Sequence, residues 1–489
     1  MSCSSRAGKP ARLVVLLLPF SAALGGCVAG PNFVPPPVDG PARYTSATLT
    51  HLASDSQPEL AAAPAATPGA LEAPWWASLN SPRLDAAIRE ALARNHDLAA
   101  ARATLGQAQE LVAVADAARY PLVDLDASAG RQKYGAAFLG PERLPPFSFY
   151  SIGASVSYAF DVSGVVRRTI EQQRANAEHE QHEVEAAALS LSGNVALQAL
   201  AIASARAQIQ SAESLIADDQ TDLQLVEDAF QSGSASRVDV LNAQSQRAND
   251  EALLPPFRRE LSNAQHALAV LVGRAPGDWS APEFDLDEFA IPTQLPGILP
   301  SELAHRRPDI MAAEAQLHAA TAAVGIAAGN LYPQISLAGS AGLQATALHE
   351  LFDASSNAGG LTGSLTAPLF DHGALRSRER AAVEAMHASL ASFEQVVLRS
   401  FAQVADALEA LDHDAELLQT EQSAVAISSE NLALTRESYS AGNTGVLQVL
   451  EAQRQSQQAR LGLVRAQSQR YQDTVQLLLA LGGRLPSGS

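Results

Sequence analysis

The sequence is poor in cysteine, in aromatic residues and in basic residues. Its two cysteines, Cys3 and Cys27, lie close to the N-terminus, so no disulfide is expected in the rest of the chain. Aromatic residues make up 5%, and 52 acidic residues outnumber 33 basic ones, for a net charge of −19. Nucleic acid and anionic membrane surfaces are poor partners for such a chain. No uninterrupted run of about 18 apolar residues follows Cys27, so we expect no transmembrane helix.

Residues 1–26 predict a secretory signal peptide. Arg6, Lys9 and Arg12 precede the apolar stretch 13–24, and small residues lead to Cys27. The alternative, a membrane anchor, is excluded because this stretch is far shorter than the roughly 20 residues needed to cross a bilayer. We predict cleavage before Cys27 and a lipid on its thiol, which places the protein in the bacterial outer membrane. Residues 27–74, rich in Pro, Ala, Ser and Thr, then form an extended, lipid-anchored tether.

The rest of the chain contains an internal repeat. Residues 97–130 align without a gap to residues 309–342, and "FQSGSASRVDVLNAQ" at 230–244 matches "YSAGNTGVLQVLEAQ" at 439–453. So long a period indicates two halves of one domain rather than a solenoid. We assign the first repeat to 75–275 and the second to 301–481. An equatorial linker, 276–300, joins them, and 482–489 is a C-terminal tail.

Each repeat carries an apolar residue at every seventh position over a long stretch without proline. The two series are Val195, Ile202, Ile209, Ile216, Leu223, Phe230 and Val404, Leu411, Leu418, Val425, Leu432, Tyr439. A strict seven-residue step predicts helices that supercoil left-handedly against neighbours. We predict long helices at 165–228 and 374–437, each about 96 Å in length. Helices 237–272 and 446–481 return beside them, the first kinked at Pro255-Pro256.

Four further stretches alternate between apolar and small polar residues. Predicted strands lie at about 122–134, 148–160, 333–346 and 360–370, and Val123 and Leu125, for example, alternate with Asp124 and Asp126. This pattern is typical of membrane β-barrel strands. It also fits half-buried strands of a soluble sheet, but the lipoprotein signal and the long helices favour the barrel.

Four strands are too few to close a membrane barrel, since the smallest have about eight. Three chains would supply twelve strands. The predicted fold is therefore mainly α with membrane β: a trimeric twelve-stranded β-barrel, four strands per chain, continued by a long α-helical coiled-coil barrel.

Six stretches carry a family resemblance. They are "CVAGPNFVPP", "PWWASLNSPRLDAAIREALARNHDL", "FDVSGVVRR", "LPSELAHRRPDIMAAEAQL", "NLYPQISLAGSAG" and "APLFDHGALR". In these the chain resembles the TolC-like outer-membrane efflux factors of the NodT-type lipoprotein branch. The resemblance implies a passive homotrimeric duct in outer-membrane lipid, opened by a periplasmic membrane-fusion adaptor and energised by an inner-membrane pump of the RND type. It implies no cofactor beyond the lipid on Cys27.

The resemblance also assigns a periplasmic gate. Gly233 and Gly442 mark the two hairpin tips, where an adaptor would dock and where helix reversal favours a positive φ. Asp239 and Tyr439 match an acid and a tyrosine whose hydrogen bond is part of the family's latch, whereas Thr444 replaces the family's arginine. The family's two luminal acids fall on Gln448 and Glu451. Three copies of Glu451 would form a cation-favouring ring; a solvated helix face is the alternative.

Other polar clusters are weaker signals. Asp406 and Glu409 are candidate luminal acids in a group with Asp412 and Asp414, for which a solvated outer face is the stronger expectation. The "HEQH" at 179–182 spaces its histidines one residue too closely for a zincin motif, and we assign no metal site to it. We expect no enzyme. The competing interpretation is a structural coiled-coil envelope lipoprotein, which would have no use for the four strands.

Overall fold

The computed structural model describes residues 28–38, 44–45, 74–134, 145–291 and 306–483. Cys27 and most of the predicted tether, like the signal peptide and residues 484–489, lie outside these ranges. The described part of the chain contains eight α-helices and four β-strands. In chain order they are α1 Pro82–Arg94, α2 His96–Ala117, β1 Leu122–Gln132, β2 Phe147–Phe160, α3 Val165–Gln231, α4 Arg237–Glu251, α5 Leu254–Leu271, α6 Pro308–Gly329, β3 Gln334–Ala345, β4 Asn357–Thr366, α7 Ala374–Ser440 and α8 Val446–Ala480.

The two long helices extend slightly beyond their predicted ends. Both α3 and α7 have 67 residues, or about 100 Å at the α-helical rise. The predicted helix 237–272 is instead two helices, because the α-helical hydrogen bonding is interrupted at residues 252–253 and Pro255-Pro256 occupies the first turn of α5. Proline supplies no amide hydrogen to the preceding turn but fits the start of a helix. Residues 252–253 keep helical backbone angles, so the interruption lies in the hydrogen bonds, beside the position where the sequence predicts a kink.

The chain folds as two compact units. One contains the described residues within 1–35, 106–179 and 313–392, and the other those within 36–105, 180–312 and 393–489. Each unit takes residues from both sequence repeats, so the duplication does not divide the chain into two separate folded domains.

The first unit contains one antiparallel sheet in the order β1-β2-β3-β4. Its register pairs Asp126 with Gly153, Ser155 with Ser340, and Ser340 with Gly360, so small polar residues share one face. The other face carries the alternate, apolar residues, and many are open to solvent in the single chain. They include Val123 at 63%, Leu125 at 75%, Leu361 at 76% and Leu365 at 69% exposure.

The second unit is organised around an apolar core. Trp75, Ile88, Leu200, Leu268 and Phe284 are each 1% exposed or less. The indole Nε1 of Trp75 donates to Ser192 Oγ over 3.1 Å, so the polar edge of this buried ring is satisfied.

The predicted linker takes part in this core. Phe284, Leu286 and Phe289 are buried, and the Tyr471 hydroxyl donates to the Phe289 carbonyl over 2.8 Å. Residues 276–291 are thus a packed segment of the second unit.

Among the described residues, two helices are apolar enough by length and composition to cross a membrane, which the count of uninterrupted apolar residues did not reveal. Windows in α3 and α6 reach mean hydropathies of 1.5 and 1.2. Half of each window is buried inside the protein, as in a core helix, so their hydropathy has a sufficient explanation in packing.

Candidate functional site

Both candidate hairpin tips are built in the same way. Two residues beyond the end of α3 lies Gly233 with φ of 80°, and two residues beyond the end of α7 lies Gly442 with φ of 75°. At the first tip Ser234 N donates to Ala229 O over 2.9 Å, and the second tip repeats this bond. This pairing is the Schellman motif, which requires a left-handed residue at its turn. A Cβ at either glycine would meet open space, so the requirement for glycine is conformational.

An apolar cluster holds the two hairpins together just behind the tips. Its buried members are Leu223 and Val226 from α3, Val240 and Ala243 from α4, and Val446 from α8. The ring of Tyr439, near the end of α7, packs against it with Leu450. Four helices therefore meet at this point, and Tyr439 contributes its ring to the packing of the tip.

Asp239 has a local role at the start of α4, which the S-x-x-D spacing of residues 236–239 indicates. It is the third residue of α4, and its Oδ2 accepts from Ser236 N and Ser236 Oγ, each over 2.8 Å, in a capping box. The backbone hydrogen bond from Ser236 lowers the pKa of Asp239. In the described part of the chain no hydrogen bond joins Asp239 to Tyr439. Within one chain the predicted latch is therefore not formed, since the carboxylate is already bound to the helix start; a bond between copies remains a prediction.

The residues that follow the second tip differ from one another in environment. Thr444, which replaces the family's arginine, has a buried Oγ1 with no hydrogen-bond partner among the described residues. Gln448 and Glu451 are exposed on α8. The Glu451 carboxylate is not bare, because Arg454 Nη2 donates to it over 2.6 Å and Gln455 Nε2 over 2.9 Å. The hydrogen bonds from Arg454 and Gln455 lower the pKa of Glu451. The negative charge that Glu451 would bring to the predicted ring is therefore largely compensated by Arg454 of the same chain.

The acidic cluster on α7 is divided between surface and interior. Asp406 is exposed, and Glu409 is half-buried and accepts a hydrogen bond from Thr45. Asp412 and Asp414 are each 7% exposed, which corrects the expectation of a solvated face for these two. Burial, with the adjacent Asp473 carboxyl on α8, raises the pKa of Asp414 to about 7. Asp414 stands three residues after Leu411 of the seven-residue series, which places it where α7 faces a neighbouring helix.

The structure adds a buried polar cluster that sequence reasoning missed. Asp219 and Asp222 on α3, and Asp250 on α4, are 3%, 5% and 5% exposed. A signal for the first was present: Ala205, Ala212 and Val226 are fully buried at seven-residue steps, and Asp219 interrupts this series. A charged residue within an otherwise apolar seven-residue series indicates a buried polar contact between helices.

The N-terminal segment that follows Cys27 docks on the first unit. The buried Arg168 donates to Ala29 O over 3.2 Å and to Asn32 Oδ1 over 2.8 Å. Phe33 stacks on His318 with ring centroids 4.4 Å apart. Cys27 itself is outside the described residues, but its neighbour Val28 lies against Gly164, between β2 and α3.

Both histidines of the 179–182 stretch lie on α3. His182 bonds Glu185 over 3.2 Å. Within the described residues no group of three or more His, Cys, Asp or Glu side chains is placed to hold an ion.

Known proteins match this architecture over nearly its whole length. The family model for "Outer membrane efflux protein" matches residues 87–274 and 299–483. The pyoverdine export outer membrane protein OpmQ of Pseudomonas putida is 32% identical, over 84% of this chain and 87% of OpmQ. The cation efflux system protein CusC of Escherichia coli is 27% identical, over 96% of this chain and 98% of CusC.

Solved structures agree with these sequence matches. The outer-membrane channel OprN has a TM-score of 0.84 at 27% identity, covering 94% of this chain and 99% of OprN. The open state of the outer-membrane channel MtrE of Neisseria gonorrhoeae has a TM-score of 0.76 at 26% identity, covering 94% and 98% of the two chains. The resemblance read from the sequence is confirmed: the chain belongs to the outer membrane efflux protein family.

Proposed function

We propose that this outer-membrane efflux channel works as a homotrimer whose three chains share one twelve-stranded barrel. The observation that carries the proposal is the four-stranded sheet, in which β1 and β4 are edges and pair with no further strand among the described residues. An open strand edge cannot be left in lipid, because its amide and carbonyl groups have no water to bind. Edges supplied by other copies satisfy these groups.

The two faces of the sheet support the same arrangement. The exposed apolar face, which includes Leu125 and Leu361, suits contact with lipid acyl chains. The opposite face carries mainly serine, threonine and glycine, together with Asp124 and Asp126, and there Ser128 and Ser151 hydroxyls lie 2.7 Å apart. Small hydroxyl side chains leave room for a water-filled lumen.

The helices also present surfaces suited to neighbouring copies. On α7, Ile427 and Leu434 are 68% and 59% exposed in the single chain and lie seven residues apart. Exposed apolar residues at a heptad step indicate a helix surface that packs against a partner helix. Helices of the next copy would cover this seam and close a coiled-coil barrel below the membrane.

The duct we propose is passive and needs no cofactor. A periplasmic adaptor would dock at the tips formed around Gly233 and Gly442, and an inner-membrane pump, of the RND type, would supply the energy. Relatives named for pyoverdine, toluene and cation transport match 84%, 94% and 96% of this chain. Such varied cargo on one scaffold supports a permissive duct, with substrate choice made by the pump.

The proposal is tested by mass and by conductance. The purified protein in detergent is expected to give a native mass of three chains, and to conduct ions after insertion into planar bilayers. A stable monomer with an intact β signal would overturn the trimer. A trimer that never conducts would point instead to a structural envelope lipoprotein.

A further inference from the structure

A buried polar cluster lies where four helices meet above the tips. The Gln453 side-chain amide on α8 donates to Asp219 Oδ1 on α3 over 3.1 Å. Arg436 Nη2 on α7 donates to Gln453 Oε1 over 3.3 Å and lies 3.7 Å from Asp222 Oδ2. The carboxyl of Asp250 on α4 is within hydrogen-bonding reach of Asp219. We call these five residues the acidic node.

The acidic node contains more negative charge than its surroundings can balance. Three buried carboxyls face one guanidinium, that of Arg436, and the half-buried Asp218 on α3 adds a further acid nearby. The other facing groups, Gln453 on α8 and Gln246 on α4, are neutral, and Gln246 Nε2 donates to Asp250 Oδ2 over 2.7 Å. Asp219 Oδ2 is buried with no hydrogen-bond partner among the described residues.

Two buried carboxyls in contact are stable together when they share one proton. The O–H of one then donates to the other, which removes a charge and supplies the missing hydrogen bond. Burial, the hydrogen bond to Asp250 and the charge of Asp250 raise the pKa of Asp219 to about 8. The pair therefore holds its proton at neutral pH.

The helix that carries Asp250 is short, and its C-terminal end is weakly hydrogen-bonded. Helix α4 ends at Glu251, and residues 252–253 keep helical backbone angles but form a turn in which the α-helical hydrogen bonding breaks. Pro255 and Pro256 follow in the first turn of α5, so they offer no amide hydrogens to the carbonyls at the end of α4. The other end of α4 is fixed, because Val240 and Ala243 belong to the apolar tip cluster.

We propose that the Asp219–Asp250 pair is a proton-dependent clasp that holds the C-terminal half of α4 against α3. When the proton leaves, two adjacent carboxylates repel each other and require water. The C-terminal half of α4 then separates from α3 about the break at 252–253, while the tip cluster stays packed. The surface contact of Arg247 with Gln220 is exposed and does not offset the buried repulsion. In the duct of our proposed function, on which this consequence rests, α4 lies beside the periplasmic mouth, so its release alters conductance.

Hydrogen exchange in the intact protein tests the clasp. Backbone protection of residues 246–252 is compared at about pH 6.5 and about pH 9, after normalising to the unfolded chain to remove the intrinsic pH effect. Linkage to one proton changes the opening equilibrium by at most about tenfold per pH unit below the pKa of the pair. With a pKa of about 8, protection in the native chain should therefore fall by about thirtyfold across this range. Asp250→Asn cannot lose a proton, and its amide can still donate to Asp219, so its protection should stay constant. Asp219→Asn provides the same test if the first variant folds poorly.

A matched control is available in the same molecule. Asp414 is also a buried aspartate beside a second carboxyl, but it lies between α7 and α8. Asp414→Asn should therefore keep the native pH dependence at 246–252. Constant protection in the native chain, or an Asp250→Asn variant with the native slope, overturns the clasp.

Conductance separates this inference from the proposed function. Channels that conduct, with protection at 246–252 independent of pH, refute the clasp alone. Protection that follows pH in a protein that never conducts refutes the duct and leaves the clasp standing.

Discussion

Arg454 Nη2 lies 2.6 Å from Glu451 Oε1, one helical turn away on α8. The family resemblance predicts a ring of unpaired Glu451 carboxylates, but each Glu451 is paired with the Arg454 guanidinium of its own chain. Both side chains are in contact with solvent, so the pair contributes little to stability. In the proposed trimer its consequence is for the electric field along the lumen, because three neutral pairs attract cations far less than three free acids do.

Ion selectivity tests this pairing. Arg454→Gln should increase cation preference, because it exposes three carboxylates, whereas Glu451→Gln should shift preference towards anions. The measurement is the reversal potential of planar bilayers under a salt gradient. A double variant, Glu451→Gln with Arg454→Gln, serves as the control and should resemble the native channel. An Arg454→Gln channel with unchanged selectivity would show that this turn of α8 does not face the ion path.

The hydroxyl of Tyr439 tests the latch between copies. Tyr439→Phe keeps the ring that packs on the tip cluster, and Phe230 already occupies the corresponding position of the first repeat, so folding should survive. If the hydroxyl bonds Asp239 of another copy, its loss weakens closure and raises conductance, since such a bond contributes about 1.5–3 kcal/mol when partly buried.

Ser236→Ala is the control for that experiment. It removes the hydroxyl half of the capping box and weakens the start of α4 by about 0.5–2 kcal/mol, but keeps the Asp239 carboxylate. Conductance like that of the native channel is expected from Ser236→Ala. Equal conductance of the native and Tyr439→Phe channels would refute the latch.

The buried Asp414 predicts a pH-dependent stability. Its pKa is about 7 in the folded chain, against 3.8 for an ordinary aspartate, so between these values the folded state binds the extra proton. Stability therefore falls as pH rises from about 4 to about 7 and stays low above that. Asp414→Asn cannot ionise, and its amide can donate to Asp473. It should raise stability at pH 8 by on the order of 1–2 kcal/mol per chain and change little near pH 4.

Thermal melts in detergent at the two pH values measure this effect. Asp406→Asn, an exposed aspartate on the same helix, should leave both melting temperatures unchanged. A stabilisation by Asp414→Asn that is equal at both pH values would contradict the assignment.

The positive φ of Gly442 predicts that any side chain at this position destabilises the turn. Gly442→Ala should weaken the second tip by about 1–2 kcal/mol, because a left-handed conformation brings Cβ against the backbone. The readout is faster hydrogen exchange at residues 438–446. Gly106→Ala, in the middle of α2 with open space around its Cα, should instead stabilise slightly, by about 0.5–1 kcal/mol. Unchanged exchange in Gly442→Ala would show that the turn has no fixed conformation.

Lipidation at Cys27 is tested chemically. Cys27→Ser should abolish incorporation of labelled palmitate, while Cys3→Ser, within the predicted signal peptide, should retain it. Label in the Cys27→Ser protein would refute the site.

Local pattern was enough to predict most of the elements of this chain. A seven-residue apolar step and the lack of proline predict helices within a few residues of α3 and α7, and alternation predicts the four strands, because both signals depend only on near neighbours. The glycines at 233 and 442 were likewise readable, since a left-handed turn is a local requirement. The family followed from several such motifs in order.

Only the tertiary structure decided which charges are buried and with what partners. Asp219 and Asp414 each stand three residues after a member of the apolar series, Ile216 and Leu411, which places both in a helix seam. Neither Asp250 nor Asp473 could be named as the facing carboxyl, because that depends on the register between helices distant in sequence. Asp239 and Glu451 differ from this, because their partners Ser236 and Arg454 lie three residues away and their spacing is visible in the sequence. For Asp219 and Asp414 no such local spacing exists, so only the packing of the helices could identify the partner.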